Sequence, residues 1–134
     1  MSNILKAFNA HLLDFISDII VVFPENRSLK VTKTALETWR RVHPKSIIET
    51  WKTCITDKYK SEIAKGNYNF FIKKDYREDI SGCNNISTSW GNEILSDIDE
   101  IRGPISLMSK SNQKKAIKYV QNLTKLSELY YSSS

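Results

Sequence analysis

Apolar side chains recur along most of the chain at steps of three and four residues, the spacing that gathers them on one face of an α-helix. Ile4, Leu5, Phe8, Leu12, Phe15, Ile16, Ile19 and Ile20 make the first such stripe and predict a helix from about Ser2 to Val22. Phe23-Pro24-Glu25-Asn26 ends it, because proline lacks the N–H that a continuing helix requires and biases the preceding residue toward extended backbone. Val31, Ala35, Leu36, Trp39 and Val42 then define the inward face of a second helix, closed by His43-Pro44. The clearest stripe follows. Ile47, Ile48, Trp51, Cys54, Ile55, Tyr59 and Ile63 share a face from which Lys52, Lys58, Lys60 and Glu62 are largely excluded, and Lys65-Gly66-Asn67 is the expected stop.

Beyond Asn67 the period is lost. Tyr68, Phe70, Phe71, Ile72 and Tyr76 read as a short helix or turn that plugs the end of the core, and residues 81–89 as an internal loop. Helical spacing resumes with Trp90, Ile94, Leu95, Ile98 and Ile101, with Arg102-Gly103-Pro104 as the predicted stop and Ile105, Leu107 and Met108 left as a single turn. A last helix, about Asn112 to Tyr130, carries Ile117, Val120, Leu123, Leu126 and Tyr130 inward. The β-branched run Ile19 to Phe23 does not alternate and continues a helical stripe, so no strand is expected. The predicted fold is all-α: a compact single-domain bundle of five to six helices over residues 1–131, with a polar tail at 132–134.

The 134 residues include only 4 glycines and 3 prolines, and a domain of this size buries roughly two thirds of the surface its unfolded chain exposes, enough for a core without disulfide or structural metal. Cys54 and Cys83 lack the spacing of a metal or redox motif, and Cys54 occupies an apolar helical position, so a reduced, buried Cys54 is expected. No run approaches the roughly 20 apolar residues of a membrane span, and the first stripe is interrupted by His11, Asp14 and Asp18. Sequons at Asn26, Asn85 and Asn122 follow no cleavable leader, which predicts a cytosolic or nuclear protein.

Catalytic chemistry finds little purchase. His11 and His43 fall on different helices without Cys, Asp or Glu at ligand spacing, so no metal is expected, and His43 reads as a cap at a helix end. Asp75, Glu78 and Asp79 would share a helical face, but Lys73, Lys74 and Arg77 lie among them as ordinary ion-pair partners. The four glycines, at 66, 82, 91 and 103, are isolated, so there is no phosphate loop, and no Ser or Thr sits in a nucleophile elbow. The reading is a non-enzyme with no cofactor and no small-molecule substrate.

Surfaces offer more. The net charge is +5, and residues 1–67 hold eleven basic and seven acidic residues against nine and eight in residues 68–134, a mild excess that favours polyanions or acidic partners without selecting among them. Glu93, Asp97 and Glu100 make an acidic face that could receive Lys110, Lys114, Lys115 and Lys118 from the same molecule or a second copy. Tyr119, Leu129 and Tyr131 lie off the inward stripe of the last helix, giving it more apolar circumference than one core needs. Tyr119, Leu129, Tyr130, Tyr131, Lys114, Lys115 and Lys118 are therefore the candidate contacts for a protein partner or self-association, the alternative for the tyrosines being docking on their own core. Lys30, Lys33, Arg40, Arg41 and Lys45 form a basic face that would suit nucleic acid. A helix–turn–helix over residues 28–63 is weakened by Glu49, Asp57 and Glu62 on the would-be recognition helix.

The segments Val22-Phe23-Pro24-Glu25-Asn26, Ala35-Leu36-Glu37 through Trp51, Asp57-Lys58-Tyr59 through Phe71-Ile72-Lys73-Lys74-Asp75-Tyr76, and Lys118-Tyr119-Val120-Gln121-Asn122-Leu123-Thr124-Lys125-Leu126 give the chain a texture that spans most of its length. It resembles small uncharacterised helical proteins of large nucleocytoplasmic DNA viruses. The resemblance implies a virus-encoded protein acting in the host cytoplasm, the viral factory or the virion, and it carries over no catalytic residue and no cofactor. Together with the surfaces above, it predicts a structural or scaffold protein working by protein association, with a nucleic-acid-binding accessory protein as the alternative.

Overall fold

A computed structural model describes residues 3–67 and 91–132; the side chains of Gly91, Asn92 and Leu95 are not described. The expectations for residues 68–76, the loop at 81–89, Trp90 and the Asp75, Glu78 and Asp79 cluster lie outside the described residues.

The first helix, α1, runs Asn3–Val22 and buries Leu5, Phe8, Leu12, Phe15, Ile16 and Ile19 along the expected stripe. Asn9 is buried among them, its side-chain amide donating to the Pro44 carbonyl at 3.1 Å. The chain turns at Pro24, and Asn26 caps the next helix, α2 (Arg27–Val42), by accepting the Leu29 N–H at 3.1 Å on its side-chain oxygen. Such a cap contributes about 1 kcal/mol.

The inward face of α2 differs from the expected one. Leu29, Thr32 and Leu36 are buried and Trp39 is half-buried, whereas Val31 and Val42 are 68% and 55% exposed. The true stripe steps 29, 32, 36, 39, and a threonine at its second position disguises it. His43 closes α2 through its backbone N–H, which donates to the Trp39 carbonyl at 2.8 Å, and Pro44 opens the next helix at the position where its missing N–H costs nothing.

A long central rod follows: α3 (Pro44–Trp51), one π-helical turn (Lys52–Thr56) and α4 (Asp57–Ala64). Ile47, Ile48, Trp51, Cys54, Ile55 and Ile63 are buried as predicted. The wider π turn also places Thr56 inside, beside Ile55. Cys54 is disulfide-bonded, which corrects the expected free thiol; Cys83 itself lies outside the described residues. Local spacing cannot reveal a pairing between residues distant in sequence. The rod stops where predicted, in a Schellman arrangement: Gly66 adopts φ 72°, its N–H reaches the Ile63 carbonyl, and the Asn67 N–H reaches that of Glu62.

The next helix, α5 (Gly91–Ser106), buries Ile94, Ile98, Ile101 and Ile105 at perfect helical spacing. It runs through Gly103-Pro104, which the sequence marks as its end. Proline removes one N–H, and the carbonyl left over belongs to the exposed Glu100, where water can serve it, while Ile105 gains full burial one residue later. Ser109 then caps α6 (Lys110–Ser132) by accepting the Asn112 N–H, and the Gln113 side chain donates to the Ile105 carbonyl across the turn. Helix α6 buries Ile117, Val120 and Leu123, as expected, with Ala116, Thr124 and Ser127 in addition. No strand occurs among the described residues, and the fold is an all-α bundle in which α1, α5 and α6 surround the central rod and α2 packs across α1, α3 and α5.

Candidate functional site

Helix α6 lies against α1 along one side and against the central rod along another. On the α1 side the seam is incompletely filled. Ala116 and Asn112 are short where a larger side chain would close the gap, and a groove of about 350 Å³ remains. Phe15, Ile19 and Val22 of α1, Met108 and Ala116 make its apolar lining. Its ends and rims carry Asp18, Asn112, Lys115, Lys118 and Asn122, and His11 lies in the floor.

Tyr119 divides the floor. Its ring stacks on Phe15 with centroids 4.9 Å apart and planes 14° apart, and it leans on His11 at 4.7 Å. Its hydroxyl donates to the Asp18 carboxylate. That bond, reinforced by partial burial and the nearby acidic charges of Asp18 and Asp14, pushes the phenol up to about 12. Burial moves the His11 imidazole the other way, below its ordinary value, against the opposing pull of Asp14. The Nε2 atom of His11 is buried and has no hydrogen-bond partner among the described residues. The floor thus holds a phenol that keeps its proton and an imidazole biased toward the neutral form, so fixed charge is confined to the rims.

Those rims are of opposite sign. Asp18 lines the groove on α1, with Asp14 one turn before it and near enough for its charge to act on His11 and Tyr119, and Lys115 and Lys118 line it one turn apart on α6. All four are exposed, and neither lysine forms an ion pair among the described residues.

The seven residues expected to meet a partner separate into two groups. Lys115, Lys118 and Tyr119 come together at the groove, with Lys114 exposed beside them. Leu129, Tyr130 and Tyr131 stand about 15 Å farther along α6 at 1.5 Å per residue. There Tyr130 is half-buried against the core, while Leu129 and Tyr131 are 52% and 40% exposed. The Tyr131 ring meets Tyr130 edge-on at 5.3 Å and carries the Lys52 ammonium 5.4 Å from its centre, a cation–π contact.

The basic set on α2 is real as a surface: Lys30, Arg40, Arg41 and Lys45 are exposed and Lys33 is half-buried. Trp39, the aromatic residue among them, is half-buried. Its indole N–H donates to Asp97 at 3.2 Å, beneath the His43 ring. Asp97 is held up at about 6, chiefly by burial, with the Trp39 hydrogen bond opposing and Glu93 and Glu100 adding to the rise. Its commitment to Trp39 takes it out of the acidic face that was expected to receive the lysines of α6.

Sequence reasoning missed His11, Asp18 and Val22 as parts of a surface. Asp14 and Asp18, four residues apart and flanking the first stripe, were the available signal; what lay opposite them was not. Among the described residues no three His, Cys, Asp or Glu side chains gather as a metal site, and no helix is long and apolar enough to cross a membrane. Comparison with protein-family models, curated protein sequences and solved structures returns no match.

Proposed function

We propose that the chain is a non-enzymatic structural or scaffold protein that acts by protein association through α6, in the virion or the viral factory. The observation that carries this reading is the open seam between α1 and α6, with an apolar floor and, on its α6 rim, two exposed lysines that form no ion pair among the described residues. An apolar centre ringed by polar groups is the anatomy of an association site. The viral assignment rests on the family resemblance alone. Within it, the disulfide at Cys54 favours the virion over the reducing host cytoplasm.

The test is the mass in solution and the retained partner of the full chain, compared with Lys115→Glu/Lys118→Glu and with Leu129→Lys/Tyr131→Ser. Loss of association in at least one variant, with the helical circular dichroism unchanged, is expected. Association untouched by both pairs would contradict the use of α6. Truncation after Leu123 is a poor substitute, because it removes Thr124 and Ser127 from the core.

One surface favours a second reading. The basic residues of α2 from Lys30 to Arg41, with Lys45 beyond the turn, extend over about 16 Å of the helix and suit a phosphate backbone. Replacing Arg40 and Arg41 with Gln should then weaken binding of every nucleic-acid sequence alike and flatten its salt dependence. Submicromolar binding at physiological salt would promote this reading over association.

A further inference from the structure

We propose that the groove between α1 and α6 is the seat for an amphipathic helix of a protein partner, one whose apolar stripe is flanked by basic residues on one side and acidic residues on the other. The proposal rests on the association reading and names the chemistry of the partner at that site.

The shape comes first. The lining residues run from His11 to Val22 on α1 and from Asn112 to Asn122 on α6, which at 1.5 Å per residue is about 15 Å along each helix, or three turns. A cleft of equal length between two packed helices accepts a third helix laid along it, with anchors at positions i, i+3 or i+4, and i+7. The floor can receive such anchors because it is apolar or neutral throughout: Phe15, Ile19 and Ala116 are buried apolar positions, and Tyr119 is already held by Asp18. Val22, at one end of the lining, is itself 41% exposed, so the apolar strip reaches the surface there.

Charge then decides what flanks the stripe. The α1 rim offers Asp18, with Asp14 one turn before it, and the α6 rim Lys115 and Lys118. Neither lysine is paired among the described residues, so the rims have not neutralised each other across the gap. An all-acidic helix would satisfy the lysines and be repelled by the aspartates; an all-basic one would meet the reverse. A helix with one flank of each sign satisfies both, and turning it end for end exchanges its flanks, so the rims also fix its direction.

Three labelled synthetic helical peptides with the same leucine stripe provide the probe: one with a Glu flank and a Lys flank, one with two Glu flanks, one with two Lys flanks. Fluorescence anisotropy with the full chain should rank the mixed peptide at least tenfold tighter than either other. Ala116→Phe, which fills the floor, should weaken it by tenfold or more, and circular dichroism confirms that this variant folds. In Lys115→Glu/Lys118→Glu both rims become acidic, and the two-Lys peptide should take first place. Equal binding of all three peptides, no binding, or an unchanged order in the charge-reversed chain would overturn the proposal. If instead the full chain forms a dimer that Ala116→Phe abolishes, the occupant is a second copy, which also overturns it. The association reading stands or falls separately, on the solution mass and retained partner of the full chain.

Discussion

Helix α6 meets the central rod and α1 in two different ways. Toward the rod the buried polar atoms are matched, although a smaller groove of about 290 Å³ remains between Ile63 and Ala64 of the rod and Gln121 and Thr124 of α6. The Trp51 indole N–H donates to the Thr124 hydroxyl at 3.2 Å, the Thr56 and Ser127 hydroxyls share a bond at 2.8 Å, and Ser127 also bonds the Thr124 carbonyl at 2.7 Å, all out of water. Toward α1 the same helix leaves a groove and, among the described residues, a buried imidazole nitrogen without a hydrogen-bond partner and two ammonium groups without an ion pair. A buried hydroxyl network is favourable only when every member is satisfied, and the rod side meets that condition. The α1 side retains unused hydrogen-bonding and charge capacity, and that is what a binding surface requires.

The contrast can be broken hardest at Trp51. The side chain is fully buried, its ring meets Phe8 edge-on at 6.0 Å, and its N–H anchors Thr124. Trp51→Ala should cost about 3–5 kcal/mol from lost burial and a cavity, read as a fall in the denaturation midpoint. An unchanged midpoint would mean that the rod is not the centre of the core. Ser127→Ala comes next. It strips Thr56 of its buried partner and should cost about 1–3 kcal/mol, whereas Lys115→Glu/Lys118→Glu on the open side should leave the midpoint nearly unmoved. Equal losses at the two sites would erase the distinction.

Two titrations sharpen it further. The Tyr119 phenol is raised to about 12 first of all by its bond to Asp18, so its neutral form is favoured in the folded state. Stability from this group is present below the ordinary value near 10 and is lost as pH rises through about 12. Burial raises the Tyr131 phenol as well, so absorbance titration should show late-ionising tyrosine of which Asp18→Asn brings only the Tyr119 part earlier. Asp97 follows the same sign at lower pH. Its folded value near 6 lies above the ordinary 3.8, so its protonation favours the native state, and that contribution fades as pH climbs through 6. Asp97→Asn should therefore gain on the parent chain between pH 4 and pH 8 in chemical denaturation. A constant gap across that range would mean that Trp39 and water already satisfy the carboxylate.

The fold was legible where burial was one-sided and apolar. The stripes of α1 and the rod predict their buried residues because their inward positions are mostly Ile, Leu, Phe and Trp, and on α6 Ile117, Val120 and Leu123 do the same. Errors arose where a polar residue sat inside or an apolar one outside: Thr32 is buried and Val31 exposed on α2, so the stripe drawn through the valines was rotated from the true one. Pro104 misled for a different reason. Its local cost is real, but it falls at an exposed carbonyl and is outweighed by Ile105, a tertiary effect that no local rule contains. The π turn left no trace, since Cys54 and Ile55 fit an ordinary helical stripe equally well.

The candidate site was half legible. The surplus apolar circumference of α6 pointed to Tyr119, and the lysines beside it were visible as a cluster. What the chain alone cannot express is that Asp18, about a hundred residues earlier, holds the tyrosine, or that short Ala116 leaves the floor open. Leu129 and Tyr131 share the surplus circumference but stand about three turns farther along the helix, a separation in axial position that circumference alone does not express.

The central claim is that one side of α6 specifies the fold while the other remains free to select a partner by charge. Its most direct test is the binding order of the three flanking-charge peptides measured on Lys115→Glu/Lys118→Glu, with the denaturation midpoint taken on the same sample. A shift of first place from the mixed to the two-Lys peptide at an unchanged midpoint is predicted. A lowered midpoint with the binding order preserved would contradict it, since the lysines would then belong to the fold and not to the surface.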